Sequence, residues 1–495
     1  MNEEINSDLS GIKKIKSRSF FSVGSLIVQG SYSAALGFVA FLILTIKSGV
    51  YLLGIYNTVL AMMSFFNYFT NLGLAAAIVQ KKEIEEIDLN TAFFIQLILS
   101  VGAVVVGFFL TSNLFRLYKD LPYEAVYLYW AVLFSFFLLS LKTIPSVLLE
   151  KKIKIYKVVL IQAIENTVFY LCVIVFSLLG WEIYSLVMAV LLRSLVGLIG
   201  IYLLNPWFPK PMFSFKSAKS LLSYGIPFQG NSFLAMIKDD LLIIYLGGAI
   251  GLKNLGYVTF GKKYGEFSIR LIMDSINRVA FPLFSRFQKE KELLKKSLER
   301  VLFYESFLIF PMVIGALFIF DSLLKIIPGY YAKWNSALFS FYFFSLSAFF
   351  ISLSTPFINL FNAVGRIKLS LCFMILWTVL IWLLVPLFIK LFGYNGISVA
   401  FFIMSLTFIF VFLTAKKIVN FSINNVLKTN LFSTLAMGFY LIFIRILFLN
   451  YFNNIYLHLF FSIIGAVLIY FFVTLKTRGK VVYLELIELF KTRNE

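Results

Sequence analysis

Long apolar stretches recur from one end of this 495-residue chain to the other, separated by short polar loops. About 20 apolar residues in a helix span a hydrocarbon core of about 30 Å. Hydrophobic residues make up 60% of the chain and charged residues only 14%, more apolar surface than a water-soluble fold can bury. The pattern therefore predicts a polytopic integral membrane protein without a sizeable soluble domain between its spans.

The fold class predicted from this pattern is an all-α membrane protein with about fourteen transmembrane helices. Helices satisfy every backbone hydrogen bond within one segment, as the membrane interior requires. The strands of a barrel would instead show alternating segments of about ten residues. The predicted spans are 19–46, 51–79, 91–114, 125–147, 158–179, 182–204, 218–247, 254–281, 299–320, 336–362, 369–391, 396–415, 429–449 and 452–474.

The net charge of +20 is concentrated in the loops on one side of the predicted spans. Loops 148–157 and 282–300 are the richest in Lys and Arg. Basic loops stay on the cytoplasmic side and contact anionic lipid headgroups, so we expect both termini to be cytoplasmic. The charge is explained by topology, and a nucleic-acid partner is not expected.

Residues that commonly bind metals or form disulfides are scarce in this sequence. Cys172 and Cys372 lie inside apolar spans, and the single histidine, His458, lies in the last span. None of them has neighbours at the spacing that a metal site needs. We therefore expect no disulfide, no metal and no cofactor.

A short repeat predicts two halves related by a pseudo-two-fold axis. Residues 19–30 read SFFSVGSLIVQG and residues 220–230 read SLLSYGIPFQG; each copy is followed by a Leu-Gly pair, at 53–54 and 255–256. The alternative is chance similarity between apolar sequences. An offset of six spans would give both copies the same orientation in the membrane. The predicted organisation is an N-terminal six-helix half at 1–204, a linker at 205–217, a C-terminal six-helix half at 218–417, two extra helices at 418–474, and an amphipathic cytoplasmic tail at 475–495.

Charged residues inside the predicted spans are the strongest indication of function. An ionised group that faces lipid near the bilayer centre costs about 2.5–3.5 kcal/mol, so these side chains must face protein or water. In the eighth span they follow at steps of three or four and share one face of a helix. This stripe consists of Lys263, Glu266, Arg270, Asp274 and Arg278, and other intramembrane charges are Glu165, Arg193, Lys238, Asp239, Asp240, Glu305 and Arg445.

The sequence leaves two interpretations of these charges open. Alternating signs would form ion pairs that only hold the eighth span in the bundle. Alternatively, spare cations in a hydrated cavity would attract an anionic headgroup such as a pyrophosphate, whose lipid tail stays in the bilayer. On the second interpretation the substrate-binding candidates are Arg270, Arg278, Lys263, Lys238 and Arg193, and the candidate carriers of a coupling ion are Asp239, Asp240, Asp274, Glu266 and Glu165.

Three strings resemble those of a known family. Residues 52–94 contain a Leu-Gly-x-Tyr turn and later Asp-Leu-Asn-Thr-Ala; the other two strings are 239–265 and 276–296. Together they resemble bacterial oligosaccharide flippases of the Wzx type, in the superfamily that also contains multidrug antiporters and the lipid II flippase. In the family pattern an acidic residue precedes a Leu-Leu-Ile stretch, matched by Asp240, and an arginine precedes a Phe-Pro pair, matched by Arg278.

The resemblance implies transfer of undecaprenyl-pyrophosphate-linked repeat units to the outer face of the bacterial plasma membrane. Such units feed O-antigen, capsule or another exopolysaccharide. The implied partners are the lipid-linked oligosaccharide, membrane lipid and other polysaccharide assembly proteins, and the implied mechanism is alternating access through a charged cavity. The first span carries no charge between Arg18 and Lys47, unlike the lipid II flippase with its arginine cluster, which argues against a peptidoglycan precursor.

Three other functions are alternatives to a flippase. A multidrug or cation antiporter of the same superfamily would typically have fewer helices and a cavity dominated by acids or aromatics. A membrane glycosyltransferase or polymerase needs acids or histidines in sizeable outside loops, and most outside loops here are too short, so we do not expect an enzyme. A scaffold would not require a charged membrane interior.

Overall fold

The computed structural model describes residues 28–491 except positions 31, 82, 119–120, 153 and 452–453, and it does not describe some helical side chains, including those of 478–491. Throughout these residues the chain is helical, with turns between helices and no strand. This confirms the all-α fold class. Most of the first repeat copy, at 19–30, lies outside the described residues.

The helices are α1 (Val28–Lys47), α2 (Val50–Asn71), α3 (Leu74–Gln80), α4 (Glu86–Phe109), α5 (Thr111–Leu117), α6 (Glu124–Leu141), α7 (Thr143–Lys151), α8 (Ile155–Leu178), α9 (Glu182–Leu204), α10 (Phe215–Phe228), α11 (Gly230–Met236), α12 (Leu242–Ile250), α13 (Leu252–Gly265), α14 (Phe267–Arg286), α15 (Lys291–Ile326), α16 (Tyr330–Trp334), α17 (Leu338–Ala363), α18 (Ile367–Phe392), α19 (Gly396–Ser405), α20 (Phe408–Ile418), α21 (Ile423–Tyr451) and α22 (Ile455–Lys491). A π-helical turn, Ile237–Leu241, joins α11 to α12. Of the tail predicted at 475–495, residues up to Lys491 continue α22 without a break.

Within the described range, ten helical stretches are long and apolar enough to cross a membrane, which makes this a multi-pass membrane protein. The count of fourteen stays a prediction, for a physical reason. The second, seventh and eighth predicted spans are each divided into shorter helices, whereas the eleventh and twelfth fall within one apolar stretch, Ile367–Ile418. Hydropathy averages over a window and does not detect such breaks.

The break in the second span shows what divides these helices. Leu72 and Gly73 both have positive φ, 41° and 67°, and end α2 before α3 begins. A Cβ atom on Gly73 would lie 2.3 Å from the carbonyl oxygen of Gly225 in α10. Only glycine allows both this backbone conformation and this approach, so the break depends on a contact distant in sequence.

Contacts between residues divide the chain into two compact units, Met1–Gly256 and Tyr257–Glu495. In the first unit α9 packs against both α6 and α8, and α4 packs against α6. In the second unit α15 is the central helix and packs against α14, α17, α21 and α22. The domain boundaries that were predicted from the repeat, at 205–217 and 417, stay predictions.

The two Leu-Gly pairs of the repeat meet in the first unit. A Cβ atom on Gly54 would lie 1.9 Å from the carbonyl oxygen of Leu252, and one on Gly256 would lie 2.2 Å from that of Val50. Val50 precedes Gly54 by the same spacing as Leu252 precedes Gly256. Each glycine therefore touches the partner residue of the other copy, which is the reciprocal contact that a local two-fold axis produces.

Candidate functional site

The ion pair between Glu165 and Lys142 is the best-defined charged contact inside the first unit. Glu165, on α8, is 3% exposed, and its carboxylate accepts a hydrogen bond from the ammonium group of Lys142. Lys142 lies at the joint between α6 and α7. A Cβ atom on Gly197 of α9 would lie 2.0 Å from Glu165 Oε1, so the α9 backbone packs directly on the carboxylate. Glu165 is therefore neutralised by a lysine that the sequence analysis did not single out.

A cavity of about 220 Å³ with polar and apolar lining adjoins this ion pair. It is lined by Lys142 and Glu165 together with Thr143, Ser146 and Gln162. These polar groups come from α7, α8 and the joint before α7. The cavity offers hydrogen-bond donors and acceptors within an otherwise apolar part of the bundle.

Arg193 of α9 lies among aromatic side chains. Its guanidinium carbon is 5.6 Å from the centre of the Phe169 ring on α8, which is a cation–π distance. Its positive charge also interacts electrostatically with the hydroxyl groups of Tyr56 and Tyr170. Among the residues whose side chains are described, no carboxylate lies within ion-pair distance of Arg193. No described carboxylate therefore neutralises the charge of this predicted substrate-binding residue.

Uncharged polar side chains join α1 to α8. The hydroxyl groups of Tyr32 and Thr167 lie 2.9 Å apart, and the Asn166 amide donates to the Ser33 hydroxyl at 2.9 Å. Gln29 donates to the same hydroxyl at 3.3 Å. These residues were not singled out from the sequence. The sequence pattern that could have identified them is the helical spacing of polar residues within an apolar span.

The π-helical turn Ile237–Leu241 contains the charged triplet predicted in the seventh span. Lys238 Nζ lies 3.4 Å from Asp239 Oδ2, and Asp240 also makes a polar interaction. The turn packs against α2. Single π-turns inside helices occur frequently at functional sites, because they widen the helix and redirect its side chains. The charges of Lys238 and Asp239 within this triplet therefore partly cancel.

The predicted charged stripe of the second unit crosses a break between two helices. Lys263 belongs to α13 and Arg270 to α14, and Glu266 lies at the break. Helical hydrogen bonds continue across it, from Glu266 N to Lys262 O at 2.9 Å and from Arg270 N to Glu266 O at 3.1 Å. The helical phase of the stripe is therefore kept, although one unbroken helix was expected.

Within the stripe, Arg270 and Glu266 form an ion pair of 3.4 Å one helical turn apart. The Arg270 side chain is nevertheless 63% exposed, against 15% for Glu266. Lys263 also makes a polar or charged interaction. The side chains of Asp274 and Arg278 lie outside the described residues. The ion-pair interpretation thus applies to Glu266, whereas Arg270 remains accessible.

The Asp-Leu-Asn-Thr string at the start of α4 holds the linker that follows α9. Buried Asp88 accepts hydrogen bonds from Lys81 Nζ at 2.6 Å and from the Ser217 hydroxyl. The Asn90 side-chain oxygen accepts from Lys210 N at 2.6 Å, and the Thr91 hydroxyl accepts from Ser214 N at 3.0 Å. These side chains satisfy backbone donors of an irregular segment, so the string has a structural role.

Tyr118, between α5 and α6, makes a similar structural contact. Its hydroxyl donates to the carbonyl of Ile244 in α12 at 3.0 Å, and Gly247 packs against its ring. Burial raises the pKa of this hydroxyl above its ordinary value. Tyr118 therefore stays a neutral hydrogen-bond donor.

A second charged cluster lies where α15, α21 and α22 meet. Asp321 Oδ2 lies 3.0 Å from the Arg445 guanidinium and 3.7 Å from Lys325 Nζ. Together with His458 these residues line a cavity of about 170 Å³. The cluster ties α21, one of the two helices predicted to be extra, to the central helix of the second unit.

Comparisons with known proteins agree on a family and a fold. Residues 52–338 match a family model described as polysaccharide biosynthesis protein. The chain is similar to the lipopolysaccharide biosynthesis protein WzxC of Escherichia coli strain K12, with 21% identity over 367 residues that cover 73% of this chain and 72% of the relative.

Two solved structures share the fold. The lipid II flippase MurJ in an inward closed conformation superposes with a TM-score of 0.69 and 15% identity, covering 94% of this chain and 99% of MurJ. An inward-facing multidrug resistance MATE family transporter gives a TM-score of 0.60 and 14% identity, covering 79% of this chain and 95% of the transporter. At such identities the likeness shows the fold alone.

Proposed function

We propose, because this chain belongs to the polysaccharide biosynthesis protein family, that it is a flippase for lipid-linked oligosaccharides. The chain is a multi-pass membrane protein with the fold of a flippase and of multidrug transporters. That fold alone does not separate a flippase from an antiporter. The family match, which covers residues 52–338, favours polysaccharide synthesis.

The proposed cargo is an undecaprenyl-pyrophosphate-linked repeat unit that crosses the bacterial plasma membrane from the cytoplasmic face to the outer face. The resemblance to Wzx-type flippases supports this choice, as does the similarity to a lipopolysaccharide biosynthesis protein. The basic loops 148–157 and 282–300 support cytoplasmic termini through the positive-inside rule. The resulting polymer would be O-antigen, capsule or another exopolysaccharide.

The observation that supports a binding site for the pyrophosphate is the position of Arg193. A guanidinium inside a membrane protein is tolerated when it is paired or faces water, and the described neighbours of Arg193 are aromatic rings and hydroxyl groups, without a carboxylate at ion-pair distance. Arginine binds phosphate oxygens through two parallel hydrogen bonds. We assign Arg193 to the pyrophosphate, and we keep Lys238, Lys263, Arg270 and Arg278 as further candidate substrate-binding cations.

The proposed mechanism is alternating access of the two repeat halves. The pyrophosphate and the sugars enter the charged interior, the prenyl tail remains in lipid, and the halves reopen on the other side. This route requires binding and movement and no chemical step, so we do not propose an enzyme. Other polysaccharide assembly proteins would use the unit after its release.

Deletion of the gene, with two assays on the same cells, tests the proposal. Loss of surface polysaccharide together with accumulation of complete lipid-linked units on the cytoplasmic face is the expected result. The wild type should restore both, whereas Arg193→Ala should reduce surface polysaccharide about tenfold or more, because a hydrogen bond to a charged group contributes about 1.5–3 kcal/mol. Arg116→Ala, which removes an exposed arginine at the end of α5, is the matched control.

The same strains separate the alternatives. Normal polysaccharide with altered drug sensitivity in the deletion strain would contradict the flippase and favour the antiporter. Full rescue by Arg193→Ala would not contradict the flippase. It would show that Arg193 does not bind the pyrophosphate.

A further inference from the structure

Glu305 is a buried carboxyl group that none of the functions above uses. It lies on α15, the central helix of the second unit, and is 2% exposed. Both of its carboxyl oxygens are buried, and neither has a hydrogen-bond partner. Such a group must be explained, because buried polar atoms in proteins are nearly always hydrogen-bonded.

The neighbours of Glu305 on the same face of α15 are apolar. Leu302, one turn before, packs in a cluster with Phe357 of α17. Ile309, one turn after, packs in another cluster with Met273 of α14 and Ala348 of α17. The carboxyl group therefore lies between two apolar layers.

Nearby polar groups are already engaged elsewhere. The Ser306 hydroxyl donates to the carbonyls of Leu302 and Phe303, at 2.7 and 3.0 Å. The Asn430 amide of α21 donates to Phe303 O at 2.9 Å and to the Ser306 hydroxyl at 2.7 Å. Neither group turns a donor toward Glu305.

No charged group in the described part of the second unit compensates Glu305. Its oxygens form no ion pair with any described side chain. The side chains of Asp274 and Arg278, on α14, are not among those described. The described titratable groups on the helices packed against α15 are Glu266, Arg270 and Arg286 near or on α14, Tyr330, Tyr331 and Lys333 on α16, Tyr342 on α17, Lys428, Tyr440 and Arg445 on α21, and Tyr456, His458, Tyr470 and Lys476 on α22.

We propose that Glu305 is a proton-binding site whose carboxyl group is protonated in this buried state and releases its proton when transport hydrates the α15 face. An ionised carboxylate without partners is far less stable in an apolar interior than the neutral acid. On release the O–H bond breaks, the proton passes to water, and the electron pair stays on the carboxylate. Acid therefore favours the buried state, and alkali favours the hydrated one.

The coupling to transport rests on the flippase proposed above, whereas the protonation does not. Infrared spectroscopy of the purified full-length protein at neutral pH tests the protonation alone. We expect the wild type to show a carbonyl band of a protonated carboxylic acid that Glu305→Gln lacks. Glu292→Gln, on the exposed first turn of the same helix, should leave that band unchanged. An identical band in wild type and Glu305→Gln would overturn the proposal.

Inverted membrane vesicles from polysaccharide-producing cells test the coupling with the native lipid-linked units. A proton gradient should change the number of units that reach the lumen several-fold in the wild type and in Glu292→Gln, and should have no effect in Glu305→Gln. Glu305→Asp retains an acid and should keep the response, which guards against a folding defect in the glutamine variant.

The outcomes of the vesicle assay are distinguishable. Wild-type vesicles that move no units would contradict the proposed flippase, while the infrared band would still report the protonation. Transport that responds equally in wild type and Glu305→Gln would overturn the coupling and leave the flippase intact.

Discussion

Glu165 in the first unit and Glu305 in the second are two glutamates of one membrane interior, buried to nearly the same degree at 3% and 2% exposure. Glu165 is held by Lys142 and by the backbone of α9 at Gly197. Glu305 has no hydrogen-bond partner for either oxygen. Burial is therefore a poor guide to the role of a membrane carboxylate, because the partner decides which charge state is stable.

The largest expected effect is that of removing the lysine from the paired site. Lys142→Met removes the ion partner of buried Glu165, and breaking a buried ion pair from one side costs about 3–5 kcal/mol of stability. Thermal unfolding of the purified protein measures it. The double variant Lys142→Met with Glu165→Gln is the control and should recover much of the loss. A single variant as stable as the wild type would remove the distinction between the two glutamates.

A smaller effect is expected from crowding the paired carboxylate. Gly197→Ala places a Cβ atom 2.0 Å from Glu165 Oε1 and forces the side chain to move. Such overpacking costs about 1–3 kcal/mol. Gly102→Ala is the matched control, since a Cβ atom on that helical glycine meets nothing within 4 Å. Equal melting temperatures for the two variants would show that Glu165 adapts freely.

The smallest effect is expected at the unpaired site. Glu305→Gln replaces a neutral acid by a neutral amide of similar shape, so stability should change by less than about 1 kcal/mol. Glu165→Gln leaves the partly buried Lys142 without its ion partner and should cost more. If thermal unfolding ranked the two variants in the opposite order, it would contradict the distinction between the paired Glu165 and the unpaired Glu305.

Much of the fold could be predicted from hydropathy, because lipid requires each span to be a long apolar helix. The breaks within the predicted spans could not be predicted from hydropathy. The turn at Leu72 and Gly73 depends on the close approach of Gly225, more than a hundred residues away in the chain. The division of the eighth span is accompanied by packing of Gly265 against α17, where a Cβ atom would lie 2.9 Å from that of Phe344. Such contacts are invisible to a window of local sequence.

The candidate charges could be located from the sequence, whereas their pairing could not. Arg193 lies on α9, which is long and apolar enough to cross a membrane, and Lys238 lies in a π-helical turn. Lys142 was missed because the pattern places it near the polar end of a span, and its pairing with Glu165 is a tertiary contact. The Asp-Leu-Asn-Thr string was recognised as a family signature, yet its structural role is visible only once Asn90 and Thr91 meet the linker backbone.

The reciprocal contact of Gly54 and Gly256 has a consequence for the ancestry of the chain. Gly54 meets Leu252 and Gly256 meets Val50, so each copy of the motif supplies the same surface to the other. Two copies of one shorter polypeptide could make that contact as readily as two stretches of a long one. The reciprocal contact therefore satisfies the geometric requirement for descent from a homodimer by gene duplication and fusion.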